Sequence, residues 1–483
     1  MILEMASDSL GDRIALDGRE PMTYAELATR ARRVATYLAK HPCENVVLVD
    51  LNSPAVPITL FGAAIAGKPF APVNYRLADD RLRAIIKRTT PCLVIGGTGV
   101  SERIGDIGGV EYIDRDVLLA IGTDESIPET DGWSCDADAT AVLLFTSGTT
   151  GDPKAAVLRH RNLAAYLVSS LEFGSAGDDE ATIVSVPPYH IASVSSVLST
   201  TYVGRRVVQL ASFDPQHWVD NVRRYSVTHA MVVPTMLNRI LDVIDADGAG
   251  LPSLRSLAYG GGPMPMAVVE RAITLLPGVD LVNAYGLTET SSTISVLGPD
   301  DHLLAFYSDE PHVRARLGSV GQPLPGVEVE IRDGVIFVRG DQVSGEYVGA
   351  GDGLDDGWFN TRDAGYLDDD GYLFVQGRVD DVIVRGGENL SPGEIEAVLL
   401  EHPAVDAAAV VGIPDVEWGE RVVAVVVRCD DCTEEELRAH VRAALRSAST
   451  PERIAFRDEL PFNETGKLLR RVLREELAAE FAD

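Results

Sequence analysis

Residues 146–154 read TSGTTGDPK, a run of hydroxyls and glycines that ends in Asp-Pro-Lys. Gly148 and Gly151 lack the Cβ that would keep backbone N–H groups from converging on an anion. Thr146, Ser147, Thr149 and Thr150 add hydroxyl donors, and Lys154 adds charge. The stretch suits phosphate, but it is not the common nucleoside-triphosphate loop. That loop ends in Gly-Lys-Ser/Thr, whereas Lys154 follows Pro153 and precedes Ala155. Residues 283–290, NAYGLTET, offer the amide of Asn283 and the ring of Tyr285 for a base, beside Gly286. The hydroxyl of Thr288 suits phosphate, and Glu289 suits Mg²⁺, which prefers hard oxygen ligands. In TRDAG (361–365) Asp363 stands in an expected turn, where a carboxylate can accept from two ribose hydroxyls. GRVDD (377–381), GGEN (386–389) and NETGKLLR (463–470) follow, the last with Lys467 in a loop before a helix. Singly, these residues read as a glycine turn, a packing aromatic or solvated charges.

The chain that must position them has 483 residues, 46% of them hydrophobic. That length calls for two or more units and a core large enough for an enzyme. A net charge of −31 repels nucleic-acid phosphates and anionic lipid, which argues against both as partners. The five cysteines are odd in number and sparse, so no disulfide framework is expected. Cys429-Asp-Asp-Cys432 lacks a second ligand pair nearby and reads as a surface turn. No basic region followed by an apolar stretch opens the chain, and the apolar window 46–67 is broken by Asp50, Asn52, Pro54 and Pro57. Neither a signal peptide nor a membrane span is expected, and the protein is placed in the cytoplasm.

Helical periodicity runs over 23–38, with Thr23 and Glu26 as a capping box. Strands are expected at 46–50, 70–73 and 92–95, with helices at 60–66 and 79–87 between them. Further strands follow at 183–186, 206–210, 230–233, 256–259 and 281–283. Strands alternating with helices indicate α/β architecture with mostly parallel sheets. After about Gly321 the texture changes. A hairpin at 327–331 and 335–339 turns on Asp333-Gly334. The last hundred or so residues read as a small α+β unit: helices at 392–400 and 434–445, strands at 407–411 and 422–427, and a loop then helix over 464–479.

The stretches TSGTTGDPK, PPYHIA (187–192), NAYGLTET, TRDAGYLDDDGYLFVQGR (361–378), VDDVIVRGGENLSPGEIE (379–396) and NETGKLLR occur in this order. The set resembles the adenylate-forming superfamily of acyl-CoA synthetases, peptide-synthetase adenylation domains and luciferases, over nearly the whole chain. The look is nearest to acyl- or aryl-CoA ligases.

The resemblance implies a large N-terminal domain (1–377), a hinge (378–381) marked by Asp380, and a small mobile C-terminal domain (382–483). It implies that ATP and a carboxylic acid form an acyl-adenylate and pyrophosphate, with Mg²⁺ as cofactor and coenzyme A as thiol acceptor. The 146–154 loop would hold the β- and γ-phosphates, Thr288 the α-phosphate and Glu289 the metal. Asn283 and Tyr285 would bind adenine against Gly260, Gly261 and Gly262; Asp363 and Arg378 would bind ribose. Lys467 would bridge carboxylate and α-phosphate, then give way to Gly386 and Gly387 beside the pantetheine. Trp418-Gly419-Glu420 matches coenzyme A-using members. His190 is implied as a gate between acid pocket and thiol channel. Ile191 stands where amino-acid-activating members carry Asp, which argues for a plain acid. Ser193, Val194, Val197, Thr235 and Met236 complete an uncharged pocket for a medium acyl or aryl acid. Ala155 replaces the family's usual Gly and is expected to stiffen the loop exit. The resemblance also admits a carrier protein or another nucleophile as acceptor, nitrite as substrate, a homodimer, and a scaffold without catalysis.

Overall fold

The computed structural model describes residues 1–130, 132, 136–146, 154–349, 351–386, 388–415, 418–445, 447–462 and 468–481. Among them four sheets form, of nine, eight, five and five strands. The alternation of strands and helices in the sequence becomes the first two. In the nine-stranded sheet the neighbours Arg206–Gln209, Ala181–Val184, His229–Val232, Ser256–Gly260 and Asp280–Leu287 all run parallel. Parallel strands send every C-terminal end to one edge, where open α/β sheets bind their ligands. Residues 187–190, 233–236, 260–262 and 288–289 all leave from that edge.

The eight-stranded sheet has a parallel run of Phe70–Pro72, Asn45–Val49, Cys92–Gly96 and Val110–Asp114. It continues through the antiparallel pair Thr140–Thr146 and Lys154–Arg159 to the short strands Glu346–Tyr347 and Gly351–Asp352. Asn52 joins the two sheets: its buried amide donates to Val186 O at 3.0 Å and Leu210 O at 3.2 Å. A hydrophobic core runs between helices Tyr24–Lys40, Ala55–Ile65 and Ile191–Val203. The capping box at Thr23 and Glu26 is present, so the helix begins at Tyr24 as the sequence requires. The next helix begins at Ala55, ahead of the expected 60. Every residue from Ala55 to Ala63 is buried, so no polar face exists to set a 3.6-residue period.

A five-stranded sheet follows, built on the hairpin Glu328–Arg332 and Val335–Arg339. Asp333 and Gly334 carry φ of +50° and +76°, the paired left-handed turn that the Asp-Gly dipeptide favours. The last sheet, residues 383–457, packs helices Pro392–Leu400, Glu434–Ala444 and Arg470–Glu480 about its own two cores. Cys429 is exposed at the end of its strand Gly419–Arg428, and Cys432 is buried in that unit's core. None of the helices among the described residues is long and apolar enough to cross a membrane.

Candidate active site

Two strands aim most of the candidate residues. Strand Asp280–Leu287 extends past the expected 281–283, so Asn283, Tyr285 and Gly286 are its last turns of pleat and not a loop after it. A register shift between Tyr285 and Gly286 bends it against Ser292–Leu297. Backbone approaches so closely here that a Cβ on Gly286 would lie 1.9 Å from Ser292 O. Likewise a Cβ on Gly260 would lie 2.2 Å from Ala284 O on the neighbouring strand. Both glycines are needed for contact and not for flexibility.

Asp363, expected in a turn, lies within strand Trp358–Leu367. The strand pairs Asn360 with Phe337 but Ala364 with Val335, so residues 361–363 bulge from the ladder. Arg362 takes up the bend with a φ of +59°. Bulges beside functional sites re-aim side chains, and here the bulge turns Asp363 inward to 7% exposure.

These strands bring three predicted residues together. The Tyr285 hydroxyl donates to Asp363 Oδ2 at 2.6 Å, and Arg378 Nε lies 3.1 Å from Asp363 Oδ1. Arg378 also donates to Thr361 O at 2.8 Å, and Thr361 Oγ1 accepts from the Asp363 N–H at 3.0 Å. Burial, and then the Asp363 charge, push the Tyr285 hydroxyl well above its usual range, so it stays a donor. Asn283 donates its amide N–H to Ser319 O at 2.9 Å.

A second cluster forms around the turn Thr288–Thr290. Glu289 is 8% exposed, and its Oε1 accepts from the Tyr347 hydroxyl at 2.5 Å. Its backbone oxygen accepts from Ser344 N at 2.8 Å and Gly345 N at 3.2 Å. Tyr347 pairs with Ala156, on the strand that begins at Lys154. The Lys154 ammonium lies 5.5 Å from the centroid of the Tyr347 ring. Sequence reasoning passed over Tyr347, a lone aromatic in a short glycine-flanked strand. Its register against residues 154–159 is what makes it matter.

Thr146 pairs with Lys154, so the phosphate-type loop is flanked by two strands. A strand, Lys154–Arg159, follows it, where a helix follows the common triphosphate loop. Ala155 is 3% exposed and pairs with Phe145 inside the strand. Its methyl therefore packs in the sheet and does not stiffen a loop exit. Ser147, Gly148, Thr149, Thr150, Gly151, Gly387 and Lys467 lie outside the described residues.

His190 caps helix Ile191–Val203, and its Nε2 is buried with no hydrogen-bond partner among the described residues. Burial lowers its pKa to about 4, so the ring is neutral at ordinary pH. The Ser292 hydroxyl donates to Ser195 Oγ at 3.1 Å and ties this helix to the strand after Glu289. Ile191, Thr235 and Met236 are half-buried beside the edge where the strands end. Ser193 is buried within the helix, with its hydroxyl unpartnered among the described residues. Val194 and Val197 belong to the packed core at 1% and 3% exposure.

In the last sheet Gly386 N donates to Trp418 O at 2.8 Å. Gly386 has a φ of +58°, and a Cβ there would lie 3.0 Å from the Trp418 ring. The ring is 45% exposed. Asp380 sits in the 3₁₀ turn Val379–Asp381.

Residues 3–357 match the AMP-binding enzyme family, and residues 394–467 match the AMP-binding enzyme C-terminal domain. A feruloyl-CoA synthase from an Amycolatopsis species is 32% identical over 478 residues, 95% of this chain and 94% of the relative. A 2-succinylbenzoate–CoA ligase from Bacillus cereus is 36% identical over 348 residues, 69% of each chain. The fold superposes on o-succinylbenzoate CoA synthetase from Bacillus subtilis in complex with its acyl-adenylate intermediate. That match has a TM-score of 0.85 and 29% identity over 98% of this chain and 97% of that one. The same synthetase has also been solved with ATP and a magnesium ion, at a TM-score of 0.84 and 28% identity over 97% of this chain and 98% of that one. The ordered motifs, the two-part fold and these matches agree: the chain belongs to the AMP-binding enzyme family, among the aryl- and acyl-CoA ligases of the adenylate-forming superfamily.

Proposed function

We propose that this chain activates a carboxylic acid with ATP, releases pyrophosphate, and passes the acyl group to coenzyme A in the cytoplasm. The observation that carries this reading is the Tyr285–Asp363–Arg378 cluster beside Glu289. Asp363 and Arg378 take the ribose hydroxyls. The Tyr285 ring and Asn283 take adenine, with Gly260, Gly261 and Gly262 as the facing wall. Thr146 to Lys154 grip the β- and γ-phosphates, and Thr288 contacts the α-phosphate.

Glu289 fits a Mg²⁺ ion: it is a hard oxygen donor whose Oε2 has no hydrogen-bond partner among the described residues. Bound there, Mg²⁺ supplies positive charge against the repulsion between triphosphate and attacking carboxylate. Lys467 supplies more, at the point where the carboxylate oxygen forms its bond to the α-phosphorus and pyrophosphate leaves. Losing one preorganised contact of this kind typically costs ~10²–10³ in rate.

The second step needs a different face. Residues 382–483 swing about Asp380, withdraw Lys467 and present Gly386, Gly387 and Trp418 to the pantetheine. The thiol sulfur then bonds to the acyl carbon and AMP leaves. His190, uncharged, lies between thiol and acid. With Ile191, Thr235 and Met236 it gives the acid an uncharged surround, which suits an aryl or medium acyl tail over a second carboxylate.

Carboxylate-dependent exchange of pyrophosphate into ATP tests the first step. Aryl acids without a second charge should support it best. Folded protein with Mg²⁺ and no exchange across a broad acid panel would overturn the reading.

A further inference from the structure

The described residues place Tyr347 between two opposite charges that do not meet. On one side its hydroxyl donates to Glu289 Oε1 at 2.5 Å. On the other its ring faces the Lys154 ammonium, 5.5 Å from the centroid. Neither Lys154 nor Glu289 forms an ion pair among the described residues, in a chain where Arg159 and Glu346 close by pair at 2.8 Å. The two elements are also held at fixed spacing. Glu346 and Tyr347 are stitched to the strand of Lys154, and Ser344 and Gly345 hold the backbone oxygen of Glu289. The 344–347 segment thus clamps the turn of Glu289 to the strand of the lysine.

Left to themselves, the exposed Lys154 ammonium and the buried Glu289 carboxylate would attract each other. That pairing would consume both the ligand for the metal and the cation for the phosphates. A phenol separates them at little cost. Its O–H satisfies one carboxylate oxygen by a charge-assisted bond and leaves the other free. Its ring face attracts the ammonium without a competing anion.

We infer that Tyr347 is a positioning residue that holds Glu289 and Lys154 apart, so that one remains available to Mg²⁺ and the other to phosphate. This rests on the adenylating reading of the site. It assigns Tyr347 no contact with substrate.

Calorimetric titration of the full chain with ATP, with and without Mg²⁺, tests it independently of turnover. The wild type should bind ATP more tightly when Mg²⁺ is present. Tyr347→Phe keeps the ring and loses the hydroxyl, and Glu289 becomes free to fall onto Lys154. The Mg²⁺-dependent gain in affinity should then shrink about tenfold or more, the scale of a hydrogen bond to a charged group. Adding Lys154→Met to Tyr347→Phe should restore the gain, because the ammonium that draws Glu289 away is then gone. A purely structural tyrosine would instead weaken binding equally with and without Mg²⁺, and the second substitution would rescue nothing. Equal Mg²⁺ gains in wild type and Tyr347→Phe, or absence of rescue in the double variant, would overturn the inference and leave the adenylating function standing. A folded wild type that binds no ATP under either condition would overturn both.

Discussion

The wall around Asp363 and the face around Gly386 are built in opposite ways. Asp363 and Arg378 come from two paired strands, Tyr285 reaches Asp363 from the nine-stranded sheet, and the contacts stand before any ligand arrives. Gly386 N donates to Trp418 O, and the tryptophan ring, with the Arg385 guanidinium 5.3 Å from its centroid, stands 45% exposed. The first pattern is a preorganised cradle, whose groups need no reorganisation when charge develops. The second is a surface waiting for something to cover it. A site that runs two reactions in sequence needs both kinds of part: a wall that stays and a face that is exchanged.

The largest effect should come from breaking the wall. Asp363→Ala removes the acceptor shared by Tyr285 and Arg378, so pyrophosphate exchange should fall by ~10²–10³. Stability should fall too, by about 1–3 kcal/mol in a urea melt, because two polar partners are left unsatisfied. A variant that loses stability and keeps exchange would mean that the cluster is only structural. The exchanged face should fail differently. Gly386→Val adds a side chain at a left-handed φ, against the Trp418 ring. Thioester formation from a supplied acyl-adenylate should slow by about tenfold to a hundredfold, the cost of misplacing a reacting group. Pyrophosphate exchange should change by less than about twofold, since no adenylation contact is touched. Equal losses in both half-reactions would erase the distinction between the two regions.

The smallest effect concerns pH. Burial holds the His190 pKa at about 4, below the 6.5 of a free imidazole. Between these values the unfolded chain binds a proton that the folded chain refuses, so stability falls as pH drops through this window. Thermal melts of His190→Gln from pH 6.5 down to 4 should show a shallower decline than wild type. His229, also lowered to about 4 by burial, keeps its own contribution in both. Parallel declines would mean that His190 is accessible to protons.

Much of this was legible in residue order, because the wall is made of motifs. Asn283, Tyr285, Asp363 and Arg378 each sit in a stretch whose composition suggests its chemistry. The capping box at Thr23 and the Asp333-Gly334 turn were equally plain, since both are local. What escaped depends on register. Tyr347 matters only because strand Glu346–Tyr347 pairs with Lys154–Arg159, far away in sequence. The burial of Val194 and Val197 in the packed core could not be read from their type, because apolar side chains look alike whether they face a ligand or a core. The bulge that aims Asp363 could not be told from a turn, because both need a short irregular stretch. The buried helix Ala55–Ile65 hid its start for want of a polar face.

The most direct test of the central claim is mass spectrometry of the products formed from pooled carboxylic acids with ATP, Mg²⁺ and coenzyme A. The expected products are AMP, pyrophosphate and a thioester of one acid class, led by an acid with an aryl or medium acyl tail and no second charge. ADP and phosphate in place of AMP, or AMP and acyl-adenylate with no thioester, would contradict it.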